Sequence, residues 1–269
     1  MLADYTPARP RRQFAAAIMP PANLINSSPL LPWVLASILF YAVAANGLWL
    51  AVRRSGPQGR LSRVLRSQPG QLLLWLARVL WLILPGYAAL LRGLLSPRLM
   101  GLSQIELGWA LGRGLIFAAG ALALLLAAGL SYRRAHPAPP SSPYLTFSHG
   151  VALTTLLVLE AGALQWQWAF YRSATIEALA SMAAAAPVYW GTWLAAGLLA
   201  VQGALSAWLW HDLRTPGLAE RRVLRAALLG ATSVLYLLSR NFWLAWALHA
   251  TTTAILEPRM AAVAEDSEQ

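Results

Sequence analysis

A chain of 269 residues that is 58% hydrophobic and only 12% charged, with a mean hydropathy of +0.52, has too little polar surface to cover itself in water. Soluble domains carry about a quarter charged residues. The net charge of +11 comes from 21 basic residues, every one an arginine, set mainly in short loops beside apolar runs. That is the signature of cytoplasmic loops, and no soluble segment carries the basic stripe with interleaved aromatics that nucleic acid would need. The absence of cysteine excludes disulfides, thiolate nucleophiles and cysteine-ligated metals. The expected fold is therefore all-α: a polytopic integral membrane protein of about seven transmembrane helices, since an apolar run of about 20 residues crosses the hydrocarbon.

In chain order, residues 1–29 form an N-terminal tail whose apolar run, Phe14 to Met19, is too short for a signal core, so an exposed or interfacial tail is expected. The first span covers about Leu30 to Val52, opened by Pro29 and Pro32 and closed by Arg53, Arg54 and Gly56. A basic loop with Arg53, Arg54, Arg60, Arg63 and Arg66 follows. The second span runs from about Gln71 to Leu95 with Pro85-Gly86 predicting a kink, and the third from about Leu107 to Tyr132. Residues 30–135 thus make a three-helix N-terminal membrane part. A Pro/Ser-rich connector, residues 136–143, divides it from a four-helix core at residues 144–258.

In that core a long fourth span from Tyr144 to Arg172 is expected to lead into a short amphipathic or re-entrant piece through Ala186. The fifth span follows Pro187 and ends near His211, the sixth runs from Arg221 to Leu238, and the seventh from Asn241 to Leu256, stopped by Glu257-Pro258. An acidic tail, residues 259–269, closes the sequence. With seven spans, one face gathers twelve arginines, from the 53–70, 131–143 and 211–225 segments and the C-terminus. The other holds Arg9, Arg11, Arg12, Arg98, Arg172 and Arg240. The arginine-rich face belongs in the cytoplasm, which places the N-terminus outside and the C-terminus inside.

Ionisable groups within a span are costly and mark candidate functional positions. Glu160, Arg172 and His249 stand out, while Arg78 and Arg113 are expected to snorkel or to pair with Glu160. The segment LYLLSRNFWLAWALHATTTAI resembles the last core segment of the CPBP family, the CAAX proteases and bacteriocin-processing enzymes. Asn241, Phe242, Trp243, Leu244 and His249 match its pattern, and Thr253 stands where that family has asparagine. The family's first motif, Glu-Glu-x-x-x-Arg, is matched in frame by QWAFYRSA: Arg172 keeps the arginine, and Gln167 and Trp168 replace both glutamates. Its second motif, Phe-x-x-x-His, corresponds to Leu198 through Gln202, where Gln202 replaces the histidine.

The resemblance implies a glutamate-type intramembrane endopeptidase fold with Glu160, Gln167, Arg172, Gln202, His249 and Thr253 as site residues and no cofactor. It leaves open any dependence on metal. A general base must take a proton, and a glutamine amide cannot, so the implied proteolysis is impaired or lost. One rescue remains open. Glu160 lies seven residues before Gln167, on nearly the same helix face and about 10 Å away, where it could act as a displaced base. The alternative is a non-catalytic membrane protein that binds another membrane protein or a lipidated peptide. A transporter is disfavoured by the lack of internal repeats and of paired acidic residues in the spans.

Overall fold

The computed structural model describes residues 29–56, 58–103, 108–135, 151–215 and 218–262. The N-terminal tail up to residue 28, the start of the third span at Leu107, the connector, the start of the fourth span at Tyr144 and the acidic tail from residue 263 lie outside the described residues. Among those described, all the regular structure is helical, without strands.

Helix α1, Leu31–Ser55, starts with Pro32 in its first turn, where a missing N–H costs nothing, and ends at Gly56 with φ of +67°, a conformation that glycine takes without strain. The basic loop contains a short helix that hydropathy does not reveal, α2, Arg60–Arg66. The Ser62 hydroxyl fastens it to the end of α1, donating to the Gly56 carbonyl at 2.6 Å. Helix α3, Gln68–Leu91, is capped by Ser67 and carries Pro85 within it. A one-turn helix α4, Pro97–Met100, precedes α5, Trp109–Ala135.

Helix α6, Val151–Ser181, corrects the expected break after Arg172: it continues without interruption for 31 residues. Helix α7, Pro187–Ala204, is followed after a bend of 84° by α8, Ala207–Leu213, so the expected fifth span is two pieces. Helix α9, Leu218–Ser239, leads through a tight turn at Arg240 into α10, Phe242–Ala262. That last helix passes the expected stop at Glu257-Pro258. A proline inside a helix removes one hydrogen bond and bends the axis, but it does not have to end it.

Four helices, α1, α3, α5 over Trp109–Tyr132 and α9, are long and apolar enough to cross a membrane, and the bent α7–α8 pair would make a fifth. The protein is thus a helical bundle with the character of a membrane protein. Trp166 Nε1 on α6 donates to the Ile83 carbonyl on α3 at 3.1 Å, and Arg78 on α3 reaches Glu160, so α3 and α6 run parallel. Thr175 Oγ1 donates to the Gly191 carbonyl at 2.7 Å and Tyr171 meets Gln202, so α6 and α7 run antiparallel. Glycine permits two of the closest approaches. A Cβ on Gly191 would lie 2.7 Å from the Ile176 Cα, and one on Gly86 would lie 2.7 Å from Trp166 Nε1.

Helix α6 is the axis of the bundle, packed against α1, α3, α4, α7 and α10. Residues 167–176 are buried on every side. Such a helix shows no amphipathic stripe, and its polar groups must find partners within the protein.

Candidate functional site

Every position singled out on the fourth span lies on α6, and its pitch sorts them. Gln165, Trp168 and Arg172 follow the i, i+3, i+7 spacing of one face, whereas Gln167 and Tyr171, at i and i+4, occupy another. Three polar neighbourhoods result.

At the arginine-rich end, Glu160 Oε1 accepts from Arg78 Nη2 at 3.0 Å and from Arg225 Nη2 at 2.9 Å. The carboxylate side chain is 8% exposed, while the Arg78 side chain is 42% exposed. Arg113, the other arginine considered for this pairing, instead lies over the Trp109 ring, 5.6 Å from its centroid. Arg225 enters the site from α9, two turns after that helix begins at Leu218.

On the face toward α1 and α7, the Tyr171 hydroxyl donates to Gln202 Oε1 at 2.9 Å and lies 3.2 Å from Ser37 Oγ. The phenol has one proton, so Gln202 Oε1 and Ser37 Oγ share it as alternative acceptors, the shorter contact being to Gln202. Gln167 is buried one turn earlier, and its Nε2 has no hydrogen-bond partner.

On the face toward α9 and α10, His249 is 1% exposed, and its Nδ1 lies 3.0 Å from Gln165 Nε2. An amide nitrogen only donates, so as placed His249 Nδ1 accepts and the ring carries its proton on Nε2. The Trp168 indole stacks on that ring with centroids 5.1 Å apart and planes at 22°. Arg172, 2% exposed, lies over the Tyr236 ring at 4.4 Å and donates from Nη1 to the Thr232 carbonyl at 3.4 Å. Its Nε and Nη2 have no hydrogen-bond partner. Thr253 is buried one turn beyond His249.

The structure therefore joins Gln202 to α6 through Tyr171, beside Gln167, while His249 and Arg172 meet a different stripe of the same helix. Asn241, one of the motif matches, is an N-cap: its Oδ1 accepts from the backbone N–H of Trp243 at 2.8 Å and of Leu244 at 3.2 Å. Gln165, Tyr236, Ser37 and Arg225 are the participants that sequence reasoning did not single out. Gln165 had a legible signal, as a second amide in an apolar run spaced three and seven residues from Trp168 and Arg172. Among the described residues, no group of three or more His, Asp or Glu side chains gathers as a metal site. Comparison with protein-family models, with curated proteins and with solved structures gives no significant match.

Proposed function

We propose that this chain is a multi-pass membrane protein, similar in its core to the CPBP endopeptidases, that has lost proteolysis and holds a membrane-embedded or lipid-bearing partner instead. One observation carries the reading. Both buried carboxylates among the described residues, Glu160 and Asp212, are engaged by arginine. Glu160 Oε1 accepts from two guanidinium donors that hold the carboxylate in place, and Gln167 and Trp168 supply no base. Resemblance to the family rests on Arg172, Asn241, Phe242, Trp243, Leu244 and His249, and Asn241 also has a purely structural use as a cap.

In this reading α1, α3, α5, α6, α7, α9 and α10 each cross the bilayer. At 1.5 Å per residue the 18 residues of α7 extend about 27 Å and the 31 of α6 about 46 Å, lengths close to or above the roughly 30 Å hydrocarbon. The loop at Arg53 to Arg66 and the C-terminus face the cytoplasm. A single cysteine placed at Gly59 should resist an impermeant thiol reagent in intact cells and react after lysis. Reaction in intact cells would reverse the orientation.

The functional test uses the full chain reconstituted in bilayers with a farnesylated peptide ending in a CAAX sequence. The peptide should be retained and remain intact, and retention should weaken with His249→Ala or Gln202→Ala. Peptide cleaved at its C-terminal tripeptide, with cleavage abolished by Glu160→Gln, would establish the displaced-base enzyme in place of the binding protein.

A further inference from the structure

The polar core does not account for the opposite flank of the bundle, where α8 turns away from α7. The 84° bend there is held by side chains and is not a loose corner. Asn46 on α1 reads the backbone on both sides of it: Nδ2 donates to the Leu205 carbonyl at 2.8 Å, and Oδ1 accepts from the Ala207 N–H at 2.8 Å. At the far end of α8, Asp212 Oδ2 accepts from Arg222 Nε at 2.9 Å and Nη2 at 2.6 Å, tying the helix to α9. A fixed ledge results, set across the bundle where the arginine-rich ends of the helices lie.

Between this ledge and the end of α1 lies a cavity of about 740 Å³, lined by Trp49, Arg53, Trp208, Trp210, His211 and Arg214 among others. The Arg53 guanidinium lies over the Trp49 ring, 5.0 Å from its centroid. Among the described residues neither Arg53 nor Arg214 forms an ion pair, and Asp212, beside the cavity, gives Oδ2 to Arg222 and lies with Oδ1 3.5 Å from His211 Nδ1. The site is thus aromatic-walled, and its two arginines have no carboxylate partner among the described residues. Above it, Val43 and Leu50 of α1 and Leu205 beyond α7 expose apolar side chains outward.

Each feature of the cavity suits one occupant. Guanidinium forks match the oxygens of a phosphate, indole rings settle where hydrocarbon meets headgroups, and the exposed apolar side chains of α1 suit acyl chains. We infer that this ledge is a binding site for an anionic phospholipid of the surrounding bilayer, its phosphate held between Arg53 and Arg214 and its glycerol region against Trp49 and Trp208. A zwitterionic lipid would bring a cation to the same two arginines and lose the complementarity. The inference rests on α1 crossing a membrane but not on any reading of the polar core as a peptidase remnant.

The test is native mass spectrometry of the full-length protein in detergent with equimolar phosphatidylglycerol and phosphatidylcholine. Wild-type protein should retain phosphatidylglycerol at least tenfold over phosphatidylcholine. The R53A/R214A variant should lose that preference, whereas R98A/R240A, which removes the same charge at the other end of the bundle, should keep it. If the double variant does not survive purification, R214A alone carries the test, since Arg214 makes no ion pair among the described residues. Equal retention of both lipids by the wild type, or a preference unchanged in R53A/R214A or R214A, would overturn the site. Displacement of the lipid by glycerol 3-phosphate at equal concentration would overturn the bilayer lipid as occupant, in favour of a soluble phosphate ligand. Recovery of the protein from cells without detergent would remove the membrane premise, an outcome separate from loss of the lipid preference.

Discussion

The two ends of helix α6 bury opposite charges in opposite ways. Glu160 reaches two arginines at 2.9 and 3.0 Å, and the arginines in turn extend toward the surface. Arg172, about 18 Å further along the helix at 1.5 Å per residue, has the face of Tyr236 and one long hydrogen bond to Thr232, with no carboxylate paired to it among the described residues. A carboxylate with two charge-assisted partners belongs to the fold. A guanidinium with one of its five donors satisfied is a cost to the fold, so stability alone does not account for an arginine there.

Glu160→Leu gives the largest effect expected from this contrast. Removing one member of a fully buried pair typically costs about 3 to 5 kcal/mol. Because the Arg78 and Arg225 side chains are 42% and 21% exposed, about 2 to 4 kcal/mol is expected here, read as a lower thermal midpoint in detergent. A midpoint at or above the wild-type value would mean that the two contacts do not hold the helices together.

Arg172→Met should act with the opposite sign. Replacing an uncompensated buried charge by an apolar side chain of similar length is often neutral or stabilising, by about 1 to 3 kcal/mol. If this variant unfolds as readily as Glu160→Leu, Arg172 has a counter-charge in the folded protein and the contrast between the two ends fails.

The smallest effect is expected at the central face. Tyr171→Phe keeps the ring but removes the hydroxyl that serves Gln202 and Ser37, leaving a buried amide oxygen unpaired at a cost of about 1 to 2 kcal/mol. Adding Gln202→Leu should recover part of that loss, since removing both partners of a buried hydrogen bond costs less than removing one. No recovery in the double variant would mean that the two side chains are not coupled in solution.

Much of this architecture was legible in the sequence, because apolar runs bounded by arginine, proline and glycine mark most helices to within a turn or so. The continuation of α6 to Ser181 was not. A helix enclosed on all sides mixes Gln165, Gln167, Arg172, Ser173 and Thr175 into its apolar length, and that polar content resembles the end of a span. The pairing of Arg78 with Glu160 could be anticipated from their place inside spans. Arg225 could not, because it sits near the expected start of its span among the arginines of the 211–225 segment, and only the packing of α9 brings it to Glu160. Around Gln202 and His249, helix pitch decides the outcome. Motif spacing places residues along α6, but the 100° step between successive residues sends Gln167 and Arg172 to different faces.

The account turns on Glu160 being a structural carboxylate and not a base, and one paired measurement on the same reconstituted samples tests it. Wild-type protein and the Glu160→Gln variant are compared for thermal midpoint and for cleavage of the farnesylated CAAX peptide. The account predicts a lower midpoint in the variant and only background cleavage in both proteins. Cleavage by the wild type that disappears in a variant of unchanged midpoint would contradict it, and would make Glu160 the catalytic group of an active intramembrane peptidase.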